Sequence, residues 1–526
     1  MRLTVRATGR RRLARGWGAA LVAAAAVSAA SPAVVDGGEG EDELGGGGNI
    51  ERIGIDQLID VSVRRAPDLA RARANAGIAR ADERSVRGRD DWQVQLAIDG
   101  STTSKERVAG QPVQATKQER IAGSAAVLRS LPTGGDVRLE VSAIRTRDTN
   151  VFQDPSKPAT DAQESVSAVS LATGRLTVNH SLLRGFGPRI ARADREQAVI
   201  RTSAAAARAR VSGGELTRDL VRGYWEVAHA ALALEVRRAS LASVQKLFKE
   251  TEQVVREGGR PGGDLKIAEY TMAVREEAVL RAELALEEQG LELRKLAGLE
   301  IGRDEIALWP ADLPGVGAET YSVGVMVERG LARNYALKAI ALDEEDASID
   351  VRVAQNGVLP RLDFTVSAGA SATGQNADDS FRALNQGANL DASAALTFSI
   401  DIGANTARGR RDAAVLRKQT AHIGAEELRR EIASAIVLAV HQIRAAQKRV
   451  QVATKAIELA KGSLTSERAL FRVGRSTSDQ LFKRQDELDD ARLSRVRAIA
   501  DYHEAVAVLQ SLTGDILRRY RIEVLE

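Results

Sequence analysis

Five histidines, His180, His229, His422, His441 and His503, are the natural metal ligands and general bases of this chain, and they are scattered along it. None stands at metal-ligand or triad spacing from a carboxylate, so neither metal chemistry nor nucleophilic hydrolysis has a constellation to rest on. His229 and His441 fall inside long helical patterns and read as packing or surface residues. The chain has no cysteine, which removes a disulfide scaffold, a thiolate metal site, a Cys nucleophile and a lipidated N-terminal cysteine. No glycine-rich loop is followed by the Lys and Ser or Thr that cradle phosphate. The acidic run Asp343-Glu344-Glu345-Asp346 lacks the turn glycine and ligand spacing of a calcium loop, and reads as a solvated helix face. The expectation is a protein that is not an enzyme, with no catalytic residue, no metal and no cofactor.

What the chain does carry is a repeat. The stretch 182–299 lies on 398–515 without a gap at an offset of 216 residues, as from Gly187 to Gly403. Arg192 falls on Arg408, Val199-Ile200-Arg201 on Val415-Leu416-Arg417, and Arg256-Glu257-Gly258 on Arg472-Val473-Gly474. Leu265 falls on Leu481, Glu288 on Glu504, Leu293 on Leu509, Leu296 on Leu512 and Gly298 on Gly514. A constant offset over that length signals internal duplication.

Aromatic residues make up only 3% of the sequence, a composition suited to long helices. The first 33 residues read as a secretory signal: six arginines, the apolar stretch 18–30, and small residues allowing cleavage after Ala29 or Ala33. A short membrane anchor is the alternative, although the run is short for a span. Removing those arginines takes the formal charge from +4 to −2, so the basic balance gives no reason to expect a nucleic-acid partner. No later stretch is apolar enough for a membrane helix, which leaves a soluble exported protein or one that crosses a membrane as strands.

Taken in order, 34–52 is an acidic, Gly-rich linker, and 53–299 is the first repeat, with strands within 92–183 and a helical hairpin at 188–299. Residues 300–321 form a connector, 322–515 the second repeat with strands within 360–402 and a hairpin at 404–515, and 516–526 a tail. Pro67 predicts a break or late start in a helix over 55–91. Period-two alternation marks strands at 92–99, 121–129, 137–142, 174–183, 360–370 and 392–402. Pro132-Thr133-Gly134-Gly135 marks a hairpin between the second and third. The polar stretches 102–118, 148–166 and 373–390 read as loops. Helices are expected at 189–255, 264–299, 322–356, 404–472 and 479–515, with a kink at Gly213-Gly214. End-to-end stacking of 264–299 with 322–356, and of 479–515 with 55–91, would match the length of the long helices, about 100 Å. Strands with one apolar and one polar face, and no helices to cover them, suit a membrane barrel, but one chain supplies too few to close it.

The duplicated strand-to-helix junctions Leu182-Leu183-Arg184-Gly185-Phe186-Gly187 and Phe398-Ser399-Ile400-Asp401-Ile402-Gly403, the two glycine turns, and the helix ends Leu296–Leu299 and Leu512–Asp515 resemble the TolC-type outer membrane efflux family over roughly 52–520. The resemblance implies a mixed α/β membrane protein with a duplicated strand and helical-hairpin unit. It implies a homotrimer whose strands form one β-barrel in outer membrane lipid, continuing into a long periplasmic α-helical barrel. The expected function is the exit channel of a tripartite efflux pump or a type I secretion system. Its partners would be a periplasmic adaptor (membrane fusion) protein and an inner-membrane transporter of RND or ABC type. A periplasmic coiled-coil adaptor is the alternative reading.

The family's tip aspartate, six residues after the turn glycine, matches Asp264. Gln480 takes the equivalent place in the second half, with Asp479 one residue earlier. Arg475 stands near the position of a gate arginine, Lys483 replaces a position that is acidic in the family, and Arg260 lies in the first turn. Gly258, Gly259 and Gly474 mark the turns expected to meet the adaptor. An Asp264–Arg475 gate is one reading; solvated tip charges with no gating role is the other. The best-known members place four strands per chain in the barrel, whereas six are counted here. Trp92, Phe186, Phe364 and Phe398 cluster near the strand–helix junctions and suit one membrane interface.

Overall fold

The computed structural model describes residues 51–106, 113–152, 163–258, 262–299, 301, 308–311 and 315–525. The expected signal segment, most of the linker, and the tip residues Gly259 and Arg260 lie outside the described residues.

The described chain opens with β1 (Glu51–Ile53), so the expected linker ends in a strand, and continues through α1 (Ile55–Arg65) and α2 (Pro67–Arg87). Four long strands follow: β2 (Gln93–Ser104), β3 (Val113–Ser130), β4 (Gly135–Phe152) and β5 (Gln163–Ser181). A turn of helix, α3 (Pro188–Ala191), leads into α4 (Ala193–Arg256), and α5 (Gly262–Ala297) returns. After β6 (Leu308–Pro310), which pairs in parallel with β1, come α6 (Val323–Arg333), α7 (Tyr335–Gly357), β7 (Arg361–Gly374), α8 (Ala377–Gly387) and β8 (Asn389–Ser399). The chain closes with α9 (Asn405–Arg472), α10 (Ser478–Leu512) and α11 (Ile516–Arg519). None of the described helices is long and apolar enough to cross a membrane.

β2, β3, β4, β5, β7 and β8 form one antiparallel sheet in that order. Its register separates two faces. Leu96 faces Ala125, which faces Val141 and then Gly174, Ala370 and Leu390, an unbroken apolar row. The neighbouring row on the other face runs through Glu140, Arg175, Gly369 and Asp391, and Arg175 pairs with Asp391 at 3.0 Å. One face suits lipid and the other water.

Three loop expectations need correction. Residues 102–104, 113–118, 148–152 and 163–166 are strand, the centres 107–112 and 153–162 lie outside the described residues, and 373–390 contains α8, packed on β5 and β7. Their Ser, Thr, Gln and charged residues mimic loop composition, but ladder hydrogen bonds come from the backbone and need no apolar side chain.

α4 and α9 have 64 and 68 residues, and so each reaches about 100 Å at 1.5 Å per residue. Each runs beside two shorter helices in line: α4 beside α5 and α2, α9 beside α10 and α7. The stacking is therefore the reverse of the sequence expectation. Gly298, just past α5, sits against the backbone of Arg65 and Ala66 between α1 and α2, and Gly514, just past α10, sits against Arg333 between α6 and α7. Both joints need an extended residue. Ala66 (φ −63, ψ 122) is kept from the helical region by Pro67, whereas Asn334 (φ −63, ψ 127) breaks the expected 322–356 helix and caps α7 by accepting from Ala336 N and Leu337 N. Helix length alone did not distinguish the two stacking schemes.

Three glycine pairs at the 216-residue offset share positive φ: Gly187 and Gly403, Gly258 and Gly474, Gly298 and Gly514. The Gly213-Gly214 pair has another use. α4 runs unbroken through it, and a Cβ on Gly213 would lie 2.7 Å from Val524 Cγ2. The C-terminal stretch is not a loose tail: Arg73 holds the Val524 carbonyl at 2.9 Å, and Ile516, Leu517 and Val524 join the apolar core around Leu220, Tyr224 and Leu293. The second repeat has its own core around Ile436, Ile443 and Leu509.

Candidate functional site

The hairpin tips are shaped by helix ends. At the second tip the amide of Arg475 donates to Leu470 O (2.9 Å) and that of Gly474 to Phe471 O (3.1 Å), a left-handed glycine cap that stops α9. Thr477 then caps α10 by accepting from Gln480 N. Buried Ser476 bonds Glu467, which anchors the turn. The first tip turns at Gly258 (φ +76), and α5 begins at Gly262.

The sequence-selected charges take up distinct places. Asp264 lies in the first turn of α5 and is half-buried, whereas Arg475, Asp479 and Lys483 are exposed. Among the ion pairs of the described residues there is none between Asp264 and Arg475 within the protomer. Beneath these charges the two hairpins share an apolar core of Val244, Leu247, Ala268, Leu464, Leu481 and Phe482.

A buried polar cluster lies one to two turns further in, and sequence reasoning missed it. Arg275 of α5 pairs with Asp486 of α10. The side chain of Asp489 is 1% exposed and accepts from Gln485 Nε2 (3.1 Å) and Arg492 Nη1 (3.4 Å). Burial lowers the Arg275 pKa, and the Asp489 charge opposes that shift. A signal was available: Gln485 and Asp489 occupy core-facing positions on the helix face of Leu481, Phe482 and Leu488, where polar residues are unusual.

The acidic run keeps contact with solvent, as expected of a solvated face, and also braces α7 through exposed ion pairs. Asp343 bonds Arg208 of α4 (2.7 Å), Asp346 bonds Arg201 (3.1 Å), and Glu344 meets His422 of α9 (3.1 Å). These partners are over 75 residues away in sequence, beyond any spacing argument. Glu344–His422 is a single carboxylate contact and not a triad. No group of His and acidic residues among those described could hold a metal ion.

Midway along the helices His503 stacks on Trp225 (3.8 Å, 9°) and its Nε2 donates to Gly315 O at 2.9 Å. Gln447 Nε2 bonds Gly317 O (2.9 Å), so the connector is stitched to α9 and α10. Burial pushes His503 down to about 4. Its protonation therefore opposes folding: the stabilisation is complete above the ordinary value near 6.5 and is lost as pH falls towards about 4. The melting temperature should drop across that window, and less steeply in His503→Phe. His229, also lowered by burial, adds to the slope in the same direction.

Residues 326–515 match the family profile described as outer membrane efflux protein. No curated protein matches the chain in sequence. Among solved structures, the fold is similar to the outer membrane protein VceC from Vibrio cholerae, with 17% identity, 88% of this chain and 96% of that chain covered, and a TM-score of 0.62. It is similar to the CmeC outer membrane channel of Campylobacter jejuni, with 11% identity, 90% of each chain covered, and a TM-score of 0.64. It is also similar to the open state of the MtrE outer membrane channel of Neisseria gonorrhoeae, with 16% identity, 88% and 89% covered, and a TM-score of 0.62.

Proposed function

From the premise that residues 326–515 carry an outer membrane efflux protein domain, on a chain folded like outer-membrane channels, we propose that this protein is the exit duct of a tripartite efflux pump or type I secretion system. The observation that carries the reading is a one-face-apolar sheet with two bare edges, continued by helical staves about 100 Å long that end in tight turns. Three copies close the sheets into an outer-membrane barrel and the staves into a periplasmic cylinder. Open strand edges are not tolerated in lipid, which disfavours a lone protomer, and a broad apolar sheet face left uncovered disfavours a soluble adaptor.

The tip turns at Gly258, Gly259 and Gly474 meet a periplasmic adaptor, which an inner-membrane transporter of RND or ABC type feeds. Asp264, Arg260, Arg475, Asp479 and Lys483 are the charges that three-fold symmetry gathers at the entrance, where rings of side chains set the barrier. Asp264 and Arg475 act as a gate between protomers.

Single-channel conductance in planar bilayers tests this. The wild-type trimer should show small, steady conductance, and Asp264→Ala/Arg475→Ala should raise it several-fold. Unchanged conductance in the double variant would remove the gate and leave the channel. No conductance from well-folded trimers in either form would remove the channel.

A further inference from the structure

The β3–β4 hairpin decides how wide the barrel is. If it projected from the wall, β2 would pair with β5 and each protomer would contribute four strands. The observed sheet inserts it instead. β3 is in register with β2 from Gln93↔Leu128 to Ser104↔Lys117, and β4 with β5 from Gly135↔His180 to Phe152↔Gln163. The hairpin turn is seated at the strand–helix junction. Gly187 N donates to Thr133 O (2.9 Å) and Ser181 N to Gly134 O (3.2 Å). A Cβ on Gly134 would stand 2.2 Å from Gly185 O, so the turn could not approach this closely with any larger residue. Projection would require breaking both the ladder and this seat.

The two sheet edges fit each other. β2 and β8 have 12 and 11 residues and are exposed at every position. β2 leaves the helical end and β8 returns to it, so neighbouring protomers bring them together antiparallel. Leu96 and Leu390 belong to the same apolar row, and joining the edges continues the lipid face around the wall.

Resting on the outer-membrane channel reading, we propose that three copies close one eighteen-stranded barrel with every β3–β4 hairpin in its wall, β8 of each protomer bonded to β2 of the next, and a bore at the membrane as wide as the helical cylinder behind it. Strands about 4.8 Å apart and tilted about 40° give eighteen a backbone diameter of about 36 Å, and twelve about 24 Å. Four staves per protomer make twelve helices, and at about 9–10 Å spacing they form a ring of about 36 Å. The eighteen-stranded wall meets that ring without tapering. The barrel therefore sets no size limit on cargo that has passed the cylinder, and selection by size falls to the tips.

Because the chain has no cysteine, introduced pairs report without background. In intact membranes treated with an oxidant, Leu96→Cys/Ala125→Cys should form a bond within the protomer, joining β2 to β3. Leu96→Cys combined with single cysteines scanned along 394–399 of β8 should give covalent trimers on non-reducing gels. Leu96→Cys/Leu176→Cys should give no bond, because β3 and β4 separate β2 from β5. A β2–β5 bond, or no β2–β3 bond, overturns the eighteen-stranded wall while covalent trimers keep the channel. Loss of both trimer and edge bond overturns the channel reading as well. Counting strands by electron microscopy of wild-type trimers in nanodiscs gives a second measure that no variant can disturb: eighteen supports the wall, twelve overturns it.

Discussion

Gly298→Ala and Gly514→Ala are each expected to lower folding stability by about 3 kcal/mol, the sum of a backbone cost and a steric one. These glycines have φ +68 and +71, where a side chain costs about 1–2 kcal/mol. Their amides close equivalent left-handed caps: Gly298 N to Lys295 O and Leu299 N to Arg294 O, Gly514 N to Ser511 O and Asp515 N to Gln510 O. An added Cβ would stand 2.6 Å from Arg65 O in one case and 2.8 Å from Arg333 O in the other. Both obstacles are backbone atoms at the joint where one stave helix stacks on the next, so no rotamer change relieves the contact. Gly77, exposed in mid-helix with nothing within 4 Å, is the control: Gly77→Ala should stabilise by about 0.5–1 kcal/mol. Urea midpoints followed by Trp225 fluorescence decide it. A neutral Gly298→Ala would mean that the joint yields easily and does not hold the staves in line.

Much of the architecture was legible because the duplication repeats backbone demands as well as packing. Gly187, Gly258 and Gly298 recur as Gly403, Gly474 and Gly514 because each stands where positive φ is required, and that demand leaves a mark on sequence that drift does not erase. Period-two alternation found the six strands of the large sheet but lost their outer ends, where polar residues blur the alternation, and it missed β1 and β6, too short at three residues each to show a period. What could not be read were choices between partners. The stacking of α5 on α2 depends on which helix end fits the break at Ala66, and neither length nor periodicity encodes that. Gly213 has the composition of a kink, but its lack of a side chain serves Val524, over 300 positions away. The tip charges were legible as residues and not as pairs, since turn spacing places them at the hairpin ends without saying which side chains they meet.

Arg275→Met is expected to loosen the entrance more than any single change among the exposed tip charges. The Arg275 side chain is 12% exposed, its Nε is buried with no hydrogen-bond partner, and it carries the ion pair that ties α5 to α10 close to the tips. Removing one member of a buried pair costs about 3–5 kcal/mol, but Asp486 is 47% exposed and recovers water, which reduces the expected loss to about 1–3 kcal/mol. Asp489 gains no such relief. Its side chain is 1% exposed, and it would keep Gln485 and Arg492 while losing the field of a neighbouring guanidinium. The apolar core around Leu247 and Phe482 still joins the hairpins, so the fold should survive while the α9–α10 hairpin swings more freely against α4–α5. Single-channel conductance should rise several-fold, and the charge-reversed pair Arg275→Asp/Asp486→Arg should return it towards wild type. If stability falls in Arg275→Met while conductance does not change, the pair holds the staves together and plays no part in opening.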